Sequence, residues 1–296
     1  MTSFSDSQIS LLSSLSSGLL SRLLCHPLDT LKSRIQSPTL PLKTTFIHSL
    51  KTLINSHGYR GLYNGLGASV IGGTPGTILY LTSYDSYKAS LSPSPLPPSI
   101  IHLSGGIFAE IIACIIYVPV DVTKERLQIS TLSSEKVYKT SLDCFKNILA
   151  NEGLMGIYKG YFGTVLSFGP FSGLYFLGYE FLKNEVKSRN TTSSGSADLT
   201  FNETLTCSLT AGALASWITT PLDLAKLRMQ VSKSSLVDKE IALKYNGFFK
   251  ALKYIHKTEG VKGLWRGGMV RVGFFTPATG ITMGTFDFFK GKLKEF

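Results

Sequence analysis

Apolar residues gather along this chain into six long runs, at about residues 9–36, 65–91, 100–129, 161–187, 203–231 and 268–292. Each has helical spacing and enough length to cross a bilayer, which takes roughly twenty residues. None is a charge-free block, so the pattern predicts helices packed around a polar interior rather than isolated anchors. Between the members of each pair lies a shorter amphipathic stretch, at 45–56, 141–151 and 248–258, which predicts short interfacial helices. The links at 92–98 and 190–198 are rich in Pro, Ser and Thr and predict exposed loops. An even number of spans predicts both termini on one side.

The odd-numbered runs end alike. Pro27-Leu28-Asp29-Thr30-Leu31-Lys32-Ser33-Arg34-Ile35-Gln36 recurs as Pro119-Val120-Asp121-Val122-Thr123-Lys124-Glu125-Arg126-Leu127-Gln128 and as Pro221-Leu222-Asp223-Leu224-Ala225-Lys226-Leu227-Arg228-Met229-Gln230. This repeat is far longer than a solenoid unit. It divides the chain into three units, 1–92, 93–190 and 191–296. The expected fold is an all-α membrane protein of three tandem helical hairpins related by a pseudo-threefold axis. Proline removes a helix donor and bends the helix, so three prolines at equivalent places would draw three helix ends together at one mouth. The Asp and Lys two and five residues later would meet there in a ring. Small residues four apart, Ser14 with Gly18 and Ser208 with Gly212, predict close helix packing.

Composition narrows the class. Hydrophobic residues are 43% and charged residues only 17%, low against roughly 25% charged in a soluble protein, and mean hydropathy is +0.16. The net charge of +11 comes without a Lys/Arg block or an aromatic ladder, so nucleic acid is not an expected partner. Anionic lipid headgroups and acidic solutes fit an apolar basic chain better. Cys25, Cys114, Cys144 and Cys207 lack metal or redox spacing and read as small packing residues. No nucleophile–base pair, metal cluster or phosphate-cradling loop is present in the sequence, so no catalytic residue, metal or cofactor is expected. The first residues show neither a secretory signal nor a transit peptide.

A second motif follows each Pro-Asp-Lys segment: Glu152-Gly153 to Tyr158-Lys159-Gly160, and Glu259-Gly260 to Trp265-Arg266-Gly267. In the first repeat, His57-Gly58 to Tyr63-Asn64-Gly65 lacks both charges. A third motif closes each even-numbered run: Tyr84-Asp85-Ser86-Tyr87-Lys88, Tyr179-Glu180-Phe181-Leu182-Lys183 and Phe286-Asp287-Phe288-Phe289-Lys290. Together these resemble the mitochondrial carrier family over nearly the whole chain. The resemblance implies a multi-pass transporter of the inner mitochondrial membrane, with a short matrix-side helix in each repeat. It implies a matrix gate of Asp29 with Lys124, Asp121 with Lys226 and Asp223 with Lys32, braced by Gln36, Gln128 and Gln230. It also implies a cytoplasmic gate of Asp85 with Lys183, Glu180 with Lys290 and Asp287 with Lys88, braced by Tyr84 and Tyr179. Phe286 has no hydroxyl to act as the third brace. Alternating access would follow, one ring closing while the other opens. A bound cardiolipin and a monomer are expected, and association with a larger inner-membrane complex is the other arrangement the family suggests.

Transporters of this kind bind substrate near the midplane, between repeats. The resemblance places the contact positions at Gly72 and Gly73, Ser167 and Phe168, and Phe274 and Phe275. None is charged, which disfavours di- and tricarboxylates and nucleotides. Three ionisable residues inside spans break the threefold symmetry: Arg22, Glu110 and Arg271. Ala109-Glu110-Ile111-Ile112-Ala113-Cys114, the segment from Pro27 to Pro38 and the one from Pro221 to Lys226 resemble the S-adenosylmethionine carriers. A sulfonium and an amine would favour Glu110, an adenine Phe168 or Phe274, and a carboxylate Arg22 or Arg271. The chain departs from that branch in lacking an Arg in Leu166-Ser167-Phe168-Gly169-Pro170 and in having Asp121 where Glu is usual. Iron or another cation, or a carrier fold retained as a non-transporting accessory subunit, are the alternatives.

Overall fold

The computed structural model describes residues 6–41, 44–91, 97–133, 138–194, 200–234 and 237–294. Its helices are α1 (Asp6–Gln36), α2 (Phe46–His57), α3 (Leu66–Leu91), α4 (Pro98–Ser130), α5 (Ser141–Ile157), α6 (Tyr161–Ser194), α7 (Phe201–Ile218), α8 (Thr220–Val231), α9 (Lys239–Lys244), α10 (Phe248–Leu264) and α11 (Gly268–Lys294). A 3-10 turn, Tyr59–Tyr63, follows α2. No strand occurs among the described residues.

The long helices close into a bundle. α1 packs on α3, α3 on α4, α4 on α6, α6 on α7, α7 on α11, and α11 back on α1. The shortest of the uninterrupted rods, α3, has 26 residues, about 39 Å at the helical rise. Among the described helices, only the segment Ile100–Ser130 is apolar enough by composition to cross a membrane. The others carry Ser, Thr, Gly and charges.

Two expectations are corrected. The fifth run is not one helix: it breaks at Thr219 into α7 and α8. Thr219 Oγ1 donates to Ala215 O at 2.7 Å, and Pro221 brings no donor of its own. The loop expected at 190–198 begins later, because α6 continues to Ser194; 195–199 and 92–96 lie outside the described residues. The small-residue expectation divides. Gly212 lies beside Tyr175 of α6, whose hydroxyl meets Ser208 Oγ at 2.6 Å, whereas a Cβ on Gly18 would meet nothing within 4 Å.

Each short helix tucks under the post-proline half of its repeat. Leu127 of α4 clusters with Cys144, Ile148 and Ile157 of α5. Leu224 and Ala225 of α8 cluster with Phe248, Ala251 and Ile255 of α10. The first repeat has a smaller buried set, Leu31, Leu53 and Leu62. All four cysteines are buried thiols. The motif glycines Gly58, Gly153 and Gly260, and Gly65, Gly160 and Gly267, all have positive φ, which only glycine adopts without steric cost.

Candidate functional site

The prolines do what their chemistry demands. Pro119 and Pro221 orphan the carbonyls four residues earlier, and a motif aromatic satisfies each. Tyr158 Oη donates to Ile115 O at 3.0 Å, and Trp265 Nε1 to Trp217 O at 3.1 Å. In the first repeat, Tyr63 instead stacks on the His26 ring, and His26 Nε2 bonds Asn64 O at 2.9 Å.

The first ring comes together just beyond the three prolines. Lys32 Nζ lies 2.7 Å from Asp223 Oδ2, Lys124 Nζ 3.0 Å from Asp29 Oδ2, and Lys226 Nζ 2.8 Å from Asp121 Oδ2. Every pair joins two repeats. The glutamines act unequally: Gln128 Nε2 donates to Asp29 Oδ2 at 3.1 Å, while Gln36 Oε1 and Nε2 and Gln230 Nε2 are buried without partners. Below the ring, a second cycle of contacts links the repeats. Arg126 Nε donates to Gln230 O and Arg228 Nε to Gln36 O, both at 3.2 Å. Arg126 is also clamped in bidentate fashion by Glu152, and Arg228 by Glu259. Arg34, with His57 where those acids stand, reaches Thr131 instead. Sequence reasoning missed these clamps, although the motif Glu and the Arg two residues after each Lys were the visible signal.

The other end is different. Lys183 Nζ meets Glu180 of its own helix at 3.3 Å, and no cross-helix ion pair joins Asp85, Lys88, Glu180, Lys183 or Lys290 among the described residues. The Asp287 side chain lies outside those described. Tyr84 Oη bonds His102 Nδ1 at 2.6 Å, Lys183 lies over the Tyr179 ring, and Lys290 lies over Phe286. One ring is therefore closed while the described side chains of the other stand apart.

Above the closed ring is a cavity of about 290 Å³, with Arg22, Gly73, Tyr117, Phe274 and Phe275 in its wall. Arg22 Nη1 donates to Ser69 O at 2.6 Å. Its guanidinium occupies the space over Gly73, where a Cβ would come within 1.3 Å of Nη1. The other expected contact positions sit outside this lining. Gly72 packs against Val120 of α4, which a Cβ would strike at 2.1 Å. Ser167 bonds back to Gly163 O at 2.7 Å, and Phe168 meets the Tyr80 ring edge-on. Glu110 is buried and accepts from Cys114 Sγ at 3.5 Å. Arg271 is buried, donating to Ser216 O at 2.6 Å and Thr219 Oγ1 at 2.9 Å, so it ties the α7–α8 break to α11. His26, Tyr117 and Glu125 also line the cavity and were missed, though each is an ionisable residue close to a gate proline.

The family model for mitochondrial carrier proteins matches residues 5–95, 97–190 and 197–296. The chain belongs to the mitochondrial carrier family. It is thus a transporter of the inner mitochondrial membrane, and the three matched segments are its repeats. It is 31% identical to mitochondrial substrate carrier family protein E of Dictyostelium discoideum, over 98% of this chain and 97% of that one. It is 32% identical to the mitochondrial S-adenosylmethionine carrier protein of Xenopus laevis, over 94% of each. Mitoferrin of Dictyostelium discoideum is 29% identical, over 91% of this chain and 89% of its own length.

At the α5–α6 junction, burial, then the charges of Lys233 and Arg126, hold the Lys159 ammonium down to about 8, with Glu152 pulling upward. An unfolded chain keeps that proton up to about 10.5. Between those values the unfolded carrier binds more protons than the folded one, so stability rises with pH. The thermal midpoint should climb between about pH 8 and 10.5, and Lys159→Met should flatten the climb. Equal slopes in both proteins would remove Lys159 as the cause.

Proposed function

We propose that the carrier works by alternating access across six spans, with the two charged rings as gates. We further propose that its cargo is S-adenosylmethionine or a related small amino-acid-like cation. The observation that carries this is the cavity between the repeats. Three cross-repeat ion pairs close its floor, and its wall includes the seated Arg22 guanidinium together with Phe274 and Phe275. A carboxylate fits Arg22, and a planar base or a sulfonium fits the face of Phe274, the Phe275 ring being already engaged by the Arg271 guanidinium. The gate pairs suit a switch, since a buried ion pair is only modestly stabilising after desolvation. Cargo then needs to supply only the few kcal/mol that separate two states.

The test is thermal stability of the purified carrier, followed by uptake into liposomes. S-adenosylmethionine at a hundred times its Kd should add about 2.7 kcal/mol, which raises the midpoint by several degrees. Gly73→Val should drive Arg22 off its seat and, like Arg22→Gln, cut uptake at least about tenfold. A shift with ferrous iron and none with S-adenosylmethionine would move the cargo to a metal cation. No shift and no uptake with either would leave an accessory subunit.

A further inference from the structure

Glu125 follows Lys124 at a position held by Ser33 in the first repeat and Leu227 in the third. It adds a fourth carboxylate to the three pairs, beside a different pair from the fourth cation, Arg271, which lies 3.4 Å from Asp223. Its side chain is 8% exposed, and Oε1 lies 3.4 Å from Lys124 Nζ. That ammonium already sits 3.0 Å from Asp29. Glu125 Oε2 is buried without a hydrogen-bond partner. One ammonium is therefore shared by two carboxylates at the cavity floor, an arrangement that raises the affinity of one acid for a proton. Asp29 has the Gln128 amide in addition. Lys32, which faces both acids from α1, is engaged by Asp223 at 2.7 Å. The groups facing Glu125 are Asp29, Lys32 and Ser33 from α1 and Lys124 from its own helix. Glu125, with the poorer set of partners, is the acid left to hold the proton.

We propose that Glu125 carries a proton while the first ring is closed, releases it to the matrix when that ring opens and regains one as the ring closes, so that matrix pH biases the gate. This rests on the gating reading above. Opening parts Asp29 from Lys124, because they belong to different repeats. It cannot part Glu125 from Lys124, its chain neighbour. In the open state matrix water reaches the pair, and with the competing carboxylate gone the ammonium faces Glu125 alone. Both changes favour the ionised acid. The carboxyl O–H bond breaks, its electron pair stays on oxygen, and the proton passes to matrix water. By reciprocity, acid on the matrix side favours the closed ring.

The test needs no cargo. Spin labels at Thr52→Cys in α2 and Lys146→Cys in α5, both exposed positions, report the separation of the first two repeats by double electron–electron resonance. The native cysteines are buried. Going from about pH 8 to about pH 5.5 should raise the closed population at least about threefold in the otherwise unchanged carrier. Glu125→Gln, a fixed stand-in for the protonated acid, should stay closed with no pH response, and Glu125→Asp should keep one. His26 lines the same cavity, and the Gln variant separates its titration from that of Glu125. If that variant does not fold, Glu125→Ser, the first repeat's residue type, carries the same expectation of no response. A pH response that survives loss of the carboxylate, or none in its presence, overturns the proposal. A response that depends on Glu125, in a protein that takes up no solute, keeps the proton site and removes the transport reading.

Discussion

Asp223→Asn should nearly abolish uptake, and it should cost more than Asp121→Asn. The two aspartates are equivalent by sequence, but their surroundings differ. Asp121 has one ion-pair partner among the described residues, Lys226 at 2.8 Å. Asp223 lies 2.7 Å from Lys32 and also 3.4 Å from Arg271 Nε. Arg271 in turn holds Ser216 and Thr219 at the α7–α8 break. An amide at 223 leaves two buried cations without their shared counter-ion, where loss of one partner typically costs roughly 3–5 kcal/mol. Part of that appears as lost stability and part as a gate that no longer closes. We expect uptake into liposomes to fall at least about a hundredfold, with a thermal midpoint several degrees lower. Asp121→Asn should fall less on both measures. If Asp223→Asn proves as stable and as active as Asp121→Asn, Arg271 does not belong to the gate.

The contrast shows what the sequence could reveal. A ring of charges follows from three copies of Pro-x-Asp-x-x-Lys, because equivalent prolines set the charges at one mouth; the choice of partners came with the family resemblance. The helices follow from apolar spacing, and the motif glycines from the turn each must make. What depends on a partner far along the chain was hidden. Arg271 reads as a cavity residue until its neighbour, the carbonyl of Ser216, is known. Gln36, Gln128 and Gln230 occupy one offset, yet only Gln128 braces an acid. The break at Thr219 was equally hidden, since the guanidinium that stabilises it comes from another helix. Gly73 was named as a contact, but that it is the floor on which Arg22 rests could be learned only in three dimensions.

The first repeat carries the second large effect. In repeats two and three the buried guanidinium is neutralised by the motif acid, and an aromatic donor closes the carbonyl freed by proline. At the first repeat both devices are changed. Arg34 is 1% exposed, its Nη1 serves only Thr131, and its Nε has no partner. The buried apolar set beneath it is the smallest of the three. Glu152→Gln and Glu259→Gln should each remove roughly 3–5 kcal/mol, lowering the midpoint by about 6 °C or more. His57→Glu should act in the opposite direction. The desolvation of Arg34 is already borne by the fold, so a new carboxylate adds attraction at the cost of burying one charge, and the midpoint should rise by a few degrees. If the first hairpin needs its looser hold in order to swing when the ring opens, uptake by His57→Glu should slow even as its stability grows. Thermal unfolding and liposome uptake on the same preparations decide this. A variant that is stabilised and transports at the parent rate would show that the missing clamp has no part in opening. One that is destabilised would show that Thr131 already satisfies Arg34 better than an acid can.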